Sequence, residues 1–319
     1  MYYALIMTSV VMFGFQFLLN KVYVTRNGSS LRKTLEFQLG FSAFGTLLMA
    51  VIYIVRNGLA APAGLGWFTL LMSFLTALNS TFYSIFSLKA LGKINLSLFS
   101  VFVMLGGMLL PFFLGIIFFS EGITLGKIIS VVLIIAALAV TVQRGSGKSG
   151  IGYYIGVFVM NGMTGVISKL YQAGNFPKTD EPTFMMFSAM FGIIIALAAL
   201  VITGSWSVSG KGAREAVPQP DAGTEKMSIP QPDSGTEKPK IDLPSTATMV
   251  GCGAMYYGGD LILLISLSHV PASAQYPLVT GGVMVVSTLL CYFTKDKPTR
   301  RELLSVAFSM LGILAMILI

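Results

Sequence analysis

Long apolar runs alternate with short polar segments along this chain, and the alternation predicts ten membrane-spanning helices. A run of about 18 or more apolar residues can cross a bilayer, where every backbone N–H and C=O must be paired within the chain. We place the spans at residues 2–20, 34–55, 65–88, 96–119, 123–143, 150–171, 183–203, 244–268, 273–293 and 302–319. The fifth is the weakest, because Lys127 lies near its start. The first has no cleavage pattern, so we expect a retained helix.

The composition agrees with a chain embedded in lipid. Hydrophobic residues make up 55% of the chain and charged residues 11%, and the mean hydropathy is +0.80. A soluble domain carries about a quarter charged residues. The net charge of +8 comes from Lys and Arg between apolar runs, which favours a role in membrane orientation over nucleic-acid binding. The single histidine, His269, and two cysteines within apolar runs, Cys252 and Cys291, predict free thiols, no metal site and no cofactor.

One connection is much longer than the others, at about residues 204–243 between spans seven and eight. It is rich in Pro, Gly, Ser and charge, and it contains a tandem repeat at residues 217–226 and 229–238. Such a segment buries too little apolar surface to offset the entropy of ordering, so we predict disorder. A tolerated low-complexity insertion is favoured over a docking tail.

Short matches relate each half of the chain to the other, always between one span and the span five places later. The matched segments are 20–23 with 168–171, 41–45 with 187–192, Gly106-Gly107 with Gly281-Gly282, and Ser130-Val131 with Ser305-Val306. The last two pairs share a spacing of 175 residues. Because five is odd, two five-helix units in one chain must have opposite orientations, as in many secondary transporters. The predicted fold is therefore an all-α polytopic membrane protein with two inverted five-helix repeats, residues 1–145 and 146–319.

These features resemble the two-repeat, EamA-type members of the drug/metabolite transporter superfamily, over the whole chain except the long connection. The best stretch has Leu-Lys-Ala-Leu at 88–91, Asn-Leu-Ser-Leu at 95–98 and Ser-Glu-Gly at 120–122. The chain departs from the family pattern in its Glu-Gly order at 121–122 and in the spacing of Pro111 and Pro277. The resemblance implies transport of small organic solutes by alternating access without an ATPase domain. It also implies cytoplasmic termini.

The distribution of basic residues predicts the reverse orientation. If the N-terminus were cytoplasmic, the cytoplasmic loops would hold four basic residues and the opposite loops twelve, even without the long connection. Short loops rich in Lys and Arg stay in the cytoplasm. We therefore expect both termini outside a cell membrane. The twelve are Lys21, Arg26, Arg32, Lys33, Lys89, Lys93, Arg144, Lys148, Lys295, Lys297, Arg300 and Arg301.

Asp260 is the strongest candidate for a functional residue. The other twelve acidic residues lie in loops or near span ends, whereas Asp260 lies well inside span eight. A carboxylate at a helix centre costs about 2.5–3.5 kcal/mol on insertion, so it usually faces a cavity or a partner. We expect it to bind a cationic group of a substrate or to exchange protons. Tyr256 lies one turn earlier on the same face, and Tyr257 is the next aromatic residue. A structural Asp and packing tyrosines are the alternatives.

Four further polar residues inside spans are candidates for lining the same cavity. Asn79 and Tyr83 share a face of span three, the counterpart of span eight, while Asn161 lies in span six and Gln16 in span one. Polar groups in membrane helices often serve only as hydrogen bonds between helices. For each of these four residues, that interpretation is slightly favoured.

The predicted function is a secondary transporter of a small organic solute, coupled to protons or working by exchange. A lipid or polyprenyl-carrier flippase is the main alternative, and an intramembrane enzyme is a weaker one, because no motif for phosphate binding or hydrolysis is present. The expected partners are a small-molecule substrate and membrane lipids. A homodimer is a further possibility, from the small-residue pair Gly152 and Gly156.

Overall fold

A computed structural model describes residues 2–93, 96–119, 125–141, 151–203, 244–267, 272–294 and 297–318. The described residues form ten α-helices, as predicted, and their bounds lie within a few residues of the predicted spans, except at the end of α1. The helices are α1 (Tyr2–Asn27), α2 (Leu31–Asn57), α3 (Trp67–Leu91), α4 (Leu96–Phe119), α5 (Leu125–Thr141), α6 (Ile151–Ala173), α7 (Glu181–Ile202), α8 (Ser245–Leu267), α9 (Ala272–Thr294) and α10 (Arg300–Leu318). The long connection and its tandem repeat lie outside the described residues.

Helix ends follow local chemistry more than the limits of the apolar runs. Helix α1 continues to Asn27, although residue 20 was the predicted end, because its last polar turns contain no residue that breaks a helix. It stops before Gly28, which has a φ of 76°, a conformation that favours glycine. Ser30 then caps α2 by accepting a hydrogen bond from the backbone N–H of Lys33. Gly58, with a φ of 66°, follows the end of α2.

Within the described residues, four helices are long and apolar enough to cross a membrane on length and composition alone: α1, α2, α3 and α7. Their outward faces carry large apolar side chains. Val55 in α2 is 80% exposed and Ile202 in α7 is 83% exposed. Exposed apolar surface on this scale is unfavourable in water and suits contact with lipid tails. The protein is therefore membrane-embedded, and the crossing of the other six helices remains a prediction.

The helices run alternately up and down, so the bundle has two ends. Face A holds the start of α1 and the end of α2, where Arg56 lies 3.9 Å from Asp180, just before α7. Face B holds the end of α1, where Asn27 accepts a hydrogen bond of 2.7 Å from Ser245 at the start of α8. Both contacts join helices that the chain order places at the same end.

Extensive packing joins the first five helices to the last five. The main core cluster includes residues of α1, α2, α3, α4, α6, α7, α8 and α9. Both cysteines are buried and free, as predicted. The extensively packed pairs between the halves are α1 with α8 and α9, α2 with α7 and α8, α3 with α6 and α7, α4 with α6 and α9, and α5 with α10.

Candidate functional site

Asp260 lies in α8, seven residues before its last residue, Leu267. At 1.5 Å per residue this places it about 10 Å from the face A end of the helix. Its side chain is partly buried, and its carboxylate lies within interaction range of the hydroxyl group of Tyr256, one turn earlier. The predicted pairing of these two side chains on one helix face is therefore present.

Aromatic rings from four helices lie around this pair. The ring of Tyr256 has its centroid 5.4 Å from that of Phe41 in α2 and 6.4 Å from that of Phe13 in α1. Tyr257 lies 5.2 Å from both Phe41 and Tyr256. Tyr83 of α3 is close enough to interact electrostatically with the Tyr256 hydroxyl. We call these five residues the aromatic cluster.

Small residues let the neighbouring helices approach α8 at this level. A Cβ atom at Gly45 in α2 would collide with the ring of Tyr257. A Cβ atom at Gly259 would lie 3.2 Å from the ring of Phe13, and the Gly259 carbonyl accepts a hydrogen bond of 3.0 Å from Ser9 of α1. The glycines beside Asp260 thus serve the packing of α1 against α8.

The local charge at Asp260 is negative. Among the described residues, Asp260 has no Lys or Arg partner, and Glu181 is the charged side chain within electrostatic range of its carboxylate. Glu181 is the first residue of α7, at face A. The charged side chains that interact electrostatically with Glu181 are Asp180 and Lys178. Two carboxylates therefore lie between the middle of the bundle and face A.

Asn79, Asn161 and Gln16 lie where helices join. Asn79 donates hydrogen bonds of 3.0 Å to the Met160 carbonyl and 2.9 Å to the Thr164 hydroxyl, both in α6. Asn161 donates a bond of 2.7 Å to the Val103 carbonyl in α4. Gln16 is buried in α1, and its backbone carbonyl faces the Cys252 thiol of α8. The two asparagines thus form hydrogen bonds between helices, which is the alternative to lining a cavity. Tyr83 belongs to the aromatic cluster.

Sequence reasoning missed a second polar group, centred on Gln38 of α2. Its side chain is 1% exposed and donates to Ser42 at 3.1 Å and to Ser80 at 3.4 Å. The hydroxyl of Ser84 donates to its carbonyl oxygen at 2.5 Å. A systematic search for amides inside apolar runs would have found Gln38. Glu181 was missed because it lies before the predicted start of span seven.

The described residues contain no group of three His, Cys, Asp or Glu side chains that could hold a metal ion. The arrangement around Asp260 can bind and orient a ligand through one carboxylate, several hydroxyl groups and aromatic faces. Nothing in the described part of the site resembles a nucleophile paired with a base. No model of a known protein family and no curated protein sequence matches this chain.

Proposed function

We propose that this protein is a secondary transporter of a small organic solute, built from two inverted five-helix repeats, with its substrate site at Asp260. The observation that carries the proposal is the position of Asp260. A carboxylate inside an apolar helix, without a basic partner among the described residues, lies among aromatic rings from both halves of the chain. Intramembrane acids of this kind usually mark substrate or proton pathways.

The pairing of helices supports the repeat. Suppose that the halves are exchanged, so that α1 takes the place of α6, α2 that of α7, and so on. Each closely packed pair between the halves then becomes another such pair or stays the same. The pair α1 and α8 becomes α6 and α3, α1 and α9 becomes α6 and α4, and α2 and α8 becomes α7 and α3. The pairs α2 with α7, α4 with α9 and α5 with α10 are unchanged. A bundle without internal symmetry has no reason to pair its helices in this way.

Two buried hydrogen bonds between α5 and α10 support the same relation at the level of single residues. Ser130 donates to the Gly312 carbonyl at 2.6 Å, and Ser305 donates to the Ala137 carbonyl at 3.0 Å. Adding 175 to the numbers of Ser130 and Ala137 gives Ser305 and Gly312, which is the spacing that the sequence matches share. The exchange thus converts each bond into the other.

Matched tyrosines near the ends of α1 and α6 make equivalent contacts at opposite faces. Tyr23 donates to the Lys33 carbonyl at 2.8 Å, and its ring lies 4.8 Å from that of Phe37 in α2. Tyr171 donates to the Thr179 carbonyl at 3.1 Å, and its ring lies 4.1 Å from that of Phe184 in α7. Each tyrosine thus connects the end of its helix to the beginning of the next helix by a hydrogen bond and a ring contact. Tyr23 does so at face B and Tyr171 at face A.

One glycine of each pair, Gly107 in α4 and Gly282 in α9, has an equivalent contact, whereas Gly281 lies against Met310 of α10. Gly106 lies against the backbone of Phe158 in α6, and Gly107 lies against Asn161 of the same helix. Gly282 lies against Val10 in α1, the helix that the exchange puts in place of α6. In transporters with inverted repeats the substrate site lies near the midplane between the halves, and Asp260 lies four residues beyond the midpoint of α8, on the side of face A.

The proposed orientation follows the basic residues, with both termini and face A outside. The test is a reporter fused to the C-terminus that is active on only one side of the membrane. A cytoplasmic C-terminus would overturn this part of the proposal and favour the orientation implied by the family resemblance.

Transport itself is tested with purified protein in proteoliposomes, by uptake of cationic, zwitterionic and anionic metabolites. We expect at least one solute to accumulate in vesicles with the wild type, and Asp260→Asn to abolish its uptake. The variant Glu302→Gln, at the start of α10, is a control for the loss of a carboxylate elsewhere. If no soluble solute moves while labelled lipid headgroups cross the bilayer, the protein is a flippase and the transporter proposal is wrong.

A further inference from the structure

We infer that the Asp260 site takes an organic cation, an amine or quaternary ammonium group held by the carboxylate and by the faces of the aromatic cluster. The inference rests on the proposed transporter and names its substrate class. Glu181 acts in it as a second carboxylate, which the cation meets between face A and Asp260.

Charge is the first argument. In the described part of the site, Glu181 is the one charged side chain that interacts electrostatically with Asp260, and it is also acidic. An anionic solute would be repelled by both carboxylates. A neutral solute would gain nothing from the charge of the Asp260 carboxylate. A cation supplies the counter-charge that the Asp260 carboxylate lacks among the described residues.

The aromatic cluster is the second argument, and it is independent of charge. The aromatic cluster comes from four helices: the rings of Phe13, Phe41 and Tyr257 lie 5.2–6.4 Å from that of Tyr256, centroid to centroid, and Tyr83 interacts electrostatically with the Tyr256 hydroxyl. The faces of aromatic rings carry partial negative charge and attract ammonium groups, most strongly where water is excluded. Binding of quaternary ammonium groups by aromatic residues is a recurring use of this arrangement.

The exposure of the side chains is the third argument. Tyr257 is only 6% exposed and is held against Gly45. Asp260, Tyr256 and Tyr83 each keep part of their surface accessible. The cluster therefore has a buried wall, formed by Tyr257 and Phe41, and a less buried side, formed by Asp260, Tyr256 and Tyr83.

The experiment measures binding to detergent-purified protein by calorimetry and thermal shift. The probes are benzyltrimethylammonium, choline with its uncharged tert-butyl isostere, and a carboxylate of similar size. We expect both ammonium compounds to bind and to stabilise the protein, and the isostere and the carboxylate not to do so. Stabilisation then rises with ligand concentration over Kd.

Variants locate the site. The carboxylate attracts the cation by its charge, and this attraction is stronger inside the bundle than in water, so Asp260→Asn should raise the Kd of the cation by about tenfold or more. Glu181→Gln should raise it by only a few-fold, because it acts at a distance, and this effect should shrink at high salt. Glu36→Gln is the matched control, because Glu36 lies at face B in ion pairs with Arg32 and Lys33. It should leave the Kd unchanged.

Tyr256→Phe provides a second variant if Asp260→Asn does not fold. It keeps the ring and removes the hydroxyl beside the carboxylate, so we expect cation binding to persist with a raised Kd. Tyr256→Leu removes the ring and should weaken binding further. Equal binding by the cation and its uncharged isostere would overturn the inference. Uptake of anions or neutral solutes in proteoliposomes would also overturn it, and would leave the transporter proposal intact.

Discussion

The contact between Gly45 and Tyr257 gives a prediction in which the sign of the effect is set by the structure. A methyl group at Gly45 would collide with the Cε2 and Cζ atoms of the Tyr257 ring. The ring cannot move away freely, because Phe41 and Tyr256 lie 5.2 Å from it, centroid to centroid. Extra methyl groups in a packed interior cost about 1–3 kcal/mol. Gly45→Ala should therefore destabilise the protein.

Gly152 is the matched control, since a Cβ atom there meets nothing within 4 Å. Replacing a helical glycine with alanine gains up to about 1 kcal/mol from helix propensity alone. Gly152→Ala should thus be neutral or stabilising. The gain in helix propensity applies to both variants, so the difference between them reports the collision with Tyr257. The free energies of unfolding of the two variants should therefore differ by about 1–3 kcal/mol, as measured by denaturant unfolding in detergent.

A double variant tests the cause. Tyr257→Leu removes the ring atoms that the new methyl group would meet. In a protein that carries Tyr257→Leu, Gly45→Ala should therefore lower the free energy of unfolding much less. The two substitutions should therefore couple favourably, by about 0.5–3 kcal/mol. Gly45→Ala should also weaken cation binding, because it displaces the wall of the site. If the two glycine variants have equal stability, or if no coupling is measured, Tyr257 is not packed on Gly45 and this account of the site is wrong.

Two further predictions concern the proposed repeat. Ser130→Ala and Ser305→Ala each remove one hydrogen bond between α5 and α10, so each should cost about 0.6 kcal/mol in denaturant unfolding. A large cost for one and none for the other would contradict their equivalence. Tyr23→Phe and Tyr171→Phe each remove a hydrogen bond worth about 0.5–1.5 kcal/mol, so hydrogen exchange should quicken at face B in the first variant and at face A in the second. Changes at the same face in both would contradict the inverted arrangement.

The sequence was sufficient to predict the helices because the signal is repeated over many residues. An apolar run of 20 residues tolerates errors at single positions, and all ten predicted spans coincide with helices of the described chain. Ends were harder, since they depend on single residues. Gly28 ends α1, and the last polar turns before it are helical despite their composition.

The site was partly predictable. Asp260 and Tyr256 lie four residues apart, so a helical pattern alone places them together, and the structure confirms their contact. Phe13 and Phe41 were not predictable, because aromatic residues at helical spacing are common in apolar helices and their neighbours depend on how distant helices pack. The amides of Asn79 and Asn161 could equally have faced a cavity or another helix. Only the packing of α3, α4 and α6 distinguishes the two roles.

The proposed site lies where the two proposed repeats differ. The contacts that support the exchange, such as the bonds of Ser130 and Ser305, involve packing and have counterparts in both halves. The proposed counterpart of α8 is α3, and α3 contains no Asp or Glu. The carboxylate therefore occurs in one half only. In the proposed transporter, matched packing would allow both halves to move in equivalent ways, while the single acid would give the substrate one preferred position. A symmetric scaffold with an asymmetric charge accounts for both sets of observations, because rocking of one half against the other does not require the binding groups to be duplicated.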